Sequence, residues 1–182
     1  MVGTGRVRMA DVSGKEATIR EAVAEGWVLL SGVAWEMIRD GRMAKGDVAA
    51  VARVAGILAA KDTPRLLPLC HPVPLASVAV ELTLPRRGAI RVESTVRTVA
   101  PTGVEMEALA AVAAAALCVY DMAKPVDRGL RIEGIRLLRK TGGKSGDYLA
   151  DAPRTARRSV PASRNASSRS AGVRGPGPKR SR

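Results

Sequence analysis

An alanine-rich run near the middle of the chain constrains the fold more than any other feature. It reads GVEMEALAAVAAAALCVYDMAK from Gly103 to Lys124, and no glycine or proline interrupts it after its first residue. Alanine and leucine have high helix propensity, and a helix that is apolar on nearly every side must be covered by other parts of the protein. We therefore predict a long, largely buried helix that ends before Pro125, because proline supplies no backbone N–H.

Two alternating runs that precede this helix predict a β-hairpin. Apolar residues alternate with polar or small ones from Ser77 to Leu84 and again from Ile90 to Arg97, with the turn residues PRRG between the runs. A period of two is typical of strands with one buried face. Arg91 and Glu93 fall on the opposite face, which is therefore half polar and either lies in water or packs against another subunit.

The segments on either side complete the pattern of strands. The row TIREAVAEGWVLL alternates like a strand, although Glu16 to Ala24 also fits a helix, and we favour a strand over about residues 20–30. A last strand is predicted over Leu130 to Leu138.

Two helices are predicted between the first strand and the hairpin. Ser31 can cap a short helix that ends at Asp40 and Gly41. The row KGDVAAVARVAGILAAK predicts a longer helix that stops before Thr63 and Pro64, with apolar residues at helical spacing: Val48, Val51, Ala55 and Leu58. The order strand, helices, strand, strand, helix, strand predicts an α+β ferredoxin-like sandwich, in which a βαββαβ core forms an antiparallel sheet with helices on one face.

The composition changes sharply after residue 150. Residues 151–182 are rich in Ser, Pro, Ala, Gly and Arg, and they contribute +8 of the net charge of +13. Such a segment cannot bury enough apolar surface to offset its ordering entropy. We predict a single domain over residues 1–150 and a disordered basic tail over 151–182, which could contact nucleic acid weakly and with strong salt dependence.

Cysteine content and hydropathy limit the class of protein. The two cysteines, Cys70 and Cys118, form no CxxC motif and have no nearby ligand pair, so neither a disulfide framework nor a metal site is expected. No N-terminal signal is present, and no run approaches the roughly 20 apolar residues of a membrane helix. We expect a soluble cytoplasmic protein without membrane contact.

Several polar residues are not explained by packing alone. Lys45 precedes a predicted helix, at the end where the helix dipole disfavours a cation, unless an anion lies there too. Asp121 and Lys124 share a helix face, either as an ordinary surface ion pair or as a carboxylate with a useful pKa at the edge of buried surface. The basic loop KTGGKSGD, with Lys140 and Lys144, has free amides that suit phosphate, although it is not a GxxxxGK[ST] phosphate loop.

The distance between two carboxylates has a consequence for any site that uses both. Glu107 and Asp121 lie nearly on one helical face, yet fourteen residues of helix separate them by about 21 Å. They cannot hold one small group together within a single subunit. Either the ligand is long or the site is assembled between two copies of the chain.

The only histidine stands in LLPLCHPVPL, beside Cys70 and among three prolines. Taken alone, His71 is more simply read as a packed loop residue than as a catalyst. Together with DVSGKEATIREA, TGVEMEAL, YDMAKPVDRG and GGKSGDY, however, this segment is similar to the MoaC family, the cyclic pyranopterin monophosphate synthases of molybdenum cofactor biosynthesis. The resemblance covers about residues 9–148, and it departs from the family pattern at positions that include Ala10, Pro101, Ala123 and Pro125.

The resemblance implies a lyase with a ferredoxin-like subunit. Its substrate would be the cyclised dihydroguanosine triphosphate that a radical GTP cyclase makes upstream, and its products cyclic pyranopterin monophosphate and diphosphate. It further implies a homohexamer, a trimer of dimers with sites at subunit interfaces, and no cofactor or metal.

The resemblance also implies the site residues, by their match to the family motifs. Implied catalytic residues are Asp121, Lys45, Lys124 and His71. Implied substrate-binding residues are Leu69, Cys70, His71, Met106, Glu107, Arg20 and Lys140. Whether His71 only binds or also moves a proton stays open. The rival hypotheses are a nucleic-acid binder, which the absence of aromatic residues from the hairpin disfavours, and an inactive scaffold.

Overall fold

A five-stranded antiparallel sheet organises the structure, a computed structural model that describes residues 5–144 and 146–151. In chain order its elements are β1 (Thr18–Leu29), α1 (Gly32–Arg39), α2 (Val48–Lys61), α3 (Thr63–Leu66), β2 (Leu75–Arg86), β3 (Ala89–Ala100), α4 (Glu105–Ala123), β4 (Arg131–Thr141) and β5 (Tyr148–Leu149). Apart from Asp151, the predicted tail lies outside the described residues.

The strand order is β2-β3-β1-β4-β5, and every neighbouring pair is antiparallel. The first four strands have the order of a ferredoxin-like βαββαβ core, so the predicted fold class is confirmed. β1 pairs with β3 on one side and β4 on the other, which settles the choice between helix and strand. Its residues Ala22, Ala24 and Val28 are fully buried in the hydrophobic core with α4.

Two short elements were not predicted from the sequence. Pro64 stops α2 as expected but also occupies the first turn of α3, where its fixed φ and missing N–H are tolerated. β5 adds two residues to the edge of β4, pairing with Arg139 and Lys140. The glycine-rich loop after β4 therefore connects two paired strands at this edge of the sheet.

Helix α4 is the centre of the core. It packs on β1, β3 and β4 and against α2, and nine of its nineteen residues are buried. By length and apolar composition alone it would also suit a membrane span, but its buried side chains belong to the core cluster of the protein. The predicted long, largely buried helix is therefore confirmed.

The contact between α2 and α4 depends on small side chains. The buried residues of α2 are Val48, Ala52, Gly56 and Ala60, a stripe with a repeat of four. A Cβ on Gly56 would lie 2.8 Å from the carbonyl oxygen of Ala111 in α4. The apolar spacing correctly predicted this helix but does not mark the contact, since Val48 is buried whereas Val51 and Leu58 are 45% and 53% exposed. Close approach of the two helix backbones excludes the larger residues from the contact.

The other face of the sheet carries buried carboxylates between arginines. Glu25 pairs with Arg91 at 2.8 Å and with Arg136 at 2.9 Å, and it is only 6% exposed. Burial acts to raise the pKa of Glu25, but hydrogen bonds from the two arginines outweigh it and leave the pKa lowered. Glu21 is held in the same way by Arg97 and Arg139. This face is thus half polar, as predicted.

The close helix contact predicts that Gly56→Val destabilises the protein by about 1–3 kcal/mol, because the new side chain must displace the α4 backbone. Ala50→Val in the same helix is the control, since Ala50 is exposed and the change should cost only about 0.5 kcal/mol of helix propensity. Urea unfolding of both variants measures the difference. Equal losses would contradict the packing described here.

Candidate active site

The predicted site residues fall into two groups at opposite ends of α4. Glu107 lies in the first turn of the helix and Asp121 in the last, and the helix is continuous between them. At 1.5 Å per residue their backbones stand about 21 Å apart. We call Lys45, Asp121 and Lys124 the lysine–aspartate cluster. Leu69, Cys70, His71, Met106 and Glu107 form the second group, which lines the His71 cavity.

The lysine–aspartate cluster is built on α4 and on the loop before α2. Lys45 Nζ donates to Asp121 Oδ2 at 2.6 Å and to the Asp121 carbonyl oxygen at 3.2 Å. Lys124 Nζ lies 2.7 Å from Asp121 Oδ1. The anion expected beside Lys45 is therefore Asp121 itself. Asp47 caps α2 by accepting a hydrogen bond from the Ala50 amide.

Two ammonium groups fix the charge of Asp121. Hydrogen bonds from Lys124 and then Lys45 lower the pKa of Asp121 to about 2. The carboxylate is therefore ionised at neutral pH and cannot donate a proton there. About half of each of the three side chains is exposed, so ligand atoms can reach the N–H donors and the carboxylate.

The His71 cavity has a volume of about 270 Å³ and lies between the N-terminal segment, the loop before β2 and the start of α4. The most buried ionisable group that lines it is Glu107, which is only 4% exposed. Burial raises the pKa of this carboxyl. Burial, with the nearby charge of Glu107, also raises the pKa of the Cys70 thiol. A thiol with a raised pKa is a poor nucleophile and a poor metal ligand at neutral pH. Within residues 5–144 and 146–151, no cluster of three His, Cys, Asp or Glu side chains could hold a metal ion.

A second cavity adjoins the first and is strongly basic. It measures about 460 Å³ and is lined by four cationic side chains: Lys15, Arg20, Lys140 and Lys144. Thr102, Gly103 and Glu105 line both cavities and form the wall between them. The Glu105 carboxylate stands 4.0 Å from Lys140 Nζ. Four cations around one carboxylate leave an excess of positive charge that suits a polyphosphate.

Two residues of these cavities were missed as site residues from the sequence. Lys15 was not singled out, although it lies within DVSGKEATIREA, and a turn with a hydrogen bond from Lys15 N to Val12 O at 3.0 Å shapes its loop. Glu105 was not singled out as a site residue either, although it lies within TGVEMEAL. Neither position carries a periodic or spacing signal, because a loop and a helix end meet there only in the folded chain.

Comparison with known proteins identifies the family of this chain. The MoaC family model matches residues 9–143, which is most of the chain. The chain belongs to the MoaC family. A relative from Nostoc sp. is 55% identical over 152 residues, covering 83% of this chain and 90% of that protein, and one from Roseiflexus sp. is 53% identical over 149 residues, covering 81% and 94%. A relative from Thermomicrobium roseum is 55% identical over 145 residues, covering 79% and 87%, and all three are named cyclic pyranopterin monophosphate synthase.

The buried carboxyl predicts a pH-dependent stability. Because the pKa of Glu107 is raised on folding, its burial opposes folding at pH values above the ordinary value of 4.5, and this effect disappears below it. Glu107→Gln should therefore be more stable than the wild type at pH 7, with the difference shrinking as the pH falls toward 4. Urea unfolding across this range measures it, with exposed Glu16→Gln as the control. A less stable Glu107→Gln at pH 7 would show that the ionised carboxylate has a stabilising partner.

Proposed function

We propose that this protein is a cyclic pyranopterin monophosphate synthase. It converts the cyclised dihydroguanosine triphosphate made by a radical GTP cyclase into cyclic pyranopterin monophosphate, with release of diphosphate, and so acts as a phosphorus–oxygen lyase. The observation that carries the proposal is the basic cavity joined to the His71 cavity, which together offer cations for a triphosphate and ionisable groups for a purine-derived ring. The names of the family relatives support the same reaction.

The basic cavity would take the triphosphate. The planar guanidinium group of Arg20 can donate two parallel hydrogen bonds to phosphate oxygens, and the lysine ammonium groups can neutralise phosphate charge. Neutralising the phosphates favours attack of a ribose hydroxyl on the α-phosphorus, because diphosphate then leaves with its charge stabilised. No metal or other cofactor is part of the proposal.

The His71 cavity would hold the ring that is rearranged. Burial raises the pKa of Glu107, which makes this carboxylate a better proton acceptor than an exposed one. His71 is the other proton carrier at this end. Leu69, Cys70 and Met106 would contact the ring, since they line the same cavity and their side chains are largely apolar.

Asp121 would act through its charge and not as an acid. Its pKa of about 2 keeps the carboxylate ionised, and it orients the ammonium groups of Lys45 and Lys124. Those groups can then donate hydrogen bonds or protons to the reacting molecule. Within one protomer the cluster is too far from Glu107 for one ring to touch both.

We therefore propose that the site is completed by a second copy of the chain, in a homohexamer built as a trimer of dimers. The lysine–aspartate cluster of one copy would face the His71 cavity of another. The half-exposed state of the cluster in the protomer supports this, because a reacting site is usually shielded from water. We assign the activity to residues 1–150 and the protein to the cytoplasm.

The decisive variant for the reaction is Asp121→Asn. Without the negative charge the two lysines lose their common partner, and we expect kcat for diphosphate release to fall by at least about 100-fold. Asp40→Asn is the matched control, since Asp40 is also held by two cations, Arg39 and Arg42, but it caps α1 and is not a member of the lysine–aspartate cluster. Turnover of the cyclised triphosphate is measured with the oligomeric state checked. Wild-type turnover by Asp121→Asn would remove this carboxylate from the mechanism.

A further inference from the structure

Two glycines that follow β4 lie directly against Arg20. Gly142 and Gly143 both have positive φ, +85° and +87°. A Cβ added to Gly143 would lie 1.8 Å from Arg20 Nη1, and one added to Gly142 would lie 2.3 Å from the carbonyl oxygen of Ile19. Any side chain at Gly143 would therefore overlap the guanidinium group.

The Arg20 guanidinium has few hydrogen-bond partners in the part of the chain that the structure describes. Its Nε is buried and has no hydrogen-bond partner among the described residues. Its Nη2 donates to the Pro101 carbonyl oxygen at a long 3.4 Å. Buried arginine donors in folded proteins are normally paired, so donors held without strong partners are available to a ligand.

Arg20 also faces more than one cavity. It lines the basic cavity with Lys140 and Lys144, and it lines a further cavity of about 420 Å³ together with Lys144 and Gly143. The backbone of Gly143 is thus one wall of the space in which the guanidinium lies. Because Gly143 contributes only backbone to this wall, it can fix the position of the Arg20 guanidinium group without forming hydrogen bonds to its N–H donors.

We propose that Gly143 is a positioning residue that holds the Arg20 guanidinium toward a polyphosphate chain in the basic cavity. The absence of a side chain at this position lets the loop after β4 press against Arg20. This inference rests on the proposed function, because it names the phosphate chain of that substrate as the ligand. It concerns binding alone and needs no step of the reaction.

The test uses the full chain and inorganic triphosphate in calorimetric titrations. Gly143→Ala is compared with Gly146→Ala, because Gly146 also has a positive φ, +71°, but an added Cβ there would meet nothing within 4 Å. Both variants place a Cβ on a residue with positive φ, and only one of the added Cβ atoms meets Arg20. We expect about tenfold weaker binding for Gly143→Ala and at most about a twofold change for Gly146→Ala. Equal changes, or no binding by the wild type, would overturn the proposal.

A double-mutant cycle separates this role from a general effect on the loop. Alanine lacks both atoms that an added Cβ would approach most closely, Nη1 at 1.8 Å and Cζ at 2.7 Å, so Gly143→Ala should cause no further loss in an Arg20→Ala background. Additive losses would show that Gly143 acts by some other route. If Gly143→Ala alone does not fold, the proposal predicts that Arg20→Ala restores folding, and a double variant that also fails to fold would overturn it. Turnover of the cyclised triphosphate is measured separately, so a failure of the proposed reaction is distinguishable from a failure of this binding result.

Discussion

Close packing of α4 against the sheet and against α2 is the constraint on which the rest of the structure depends. Its small buried residues bring the backbone of α2 to a distance that leaves no room for a Cβ at Gly56. The packed helix is therefore a rigid spacer, and it holds Glu107 and Asp121 at a separation of about 21 Å. No small ligand can contact both carboxylates within one copy of the chain. If both serve one site, a second copy must supply one of them.

The two ends of this helix give their carboxyl groups opposite properties. Glu107 is buried, and the loss of water raises its pKa. Asp121 is half exposed and lies between two ammonium groups, which lower its pKa to about 2. One end is thus suited to proton transfer and the other to fixed charge. The reaction that we propose requires both, together with cations for the departing diphosphate.

The sequence was most informative where local patterns decide the structure. The length and apolar character of α4, the alternation in β2 and β3, and the capping of α1 by Ser31 all predicted the observed elements. The apolar spacing predicted α2 but did not identify its buried face, because helix–helix distance, and not hydrophobicity alone, selects the residues of a contact. The sequence did not find Lys15 or the wall at Glu105, because these depend on contacts between segments far apart in the chain. The motifs identified the family and helical spacing separated Glu107 from Asp121, but only the folded chain shows that Lys45 contacts Asp121 and that His71 lines one cavity with Glu107.

Mixing two inactive variants tests most directly whether one site is shared by two copies. Asp121→Asn and Glu107→Gln subunits, each of which we expect to be inactive alone because both residues serve the proposed site, are exchanged under mild denaturation and reassembled at equal amounts. A shared site leaves one intact site in each mixed pair, so about a quarter of the wild-type turnover should return. No recovered turnover, although differently tagged subunits co-purify, would contradict the account, because both residues would then act within one protomer.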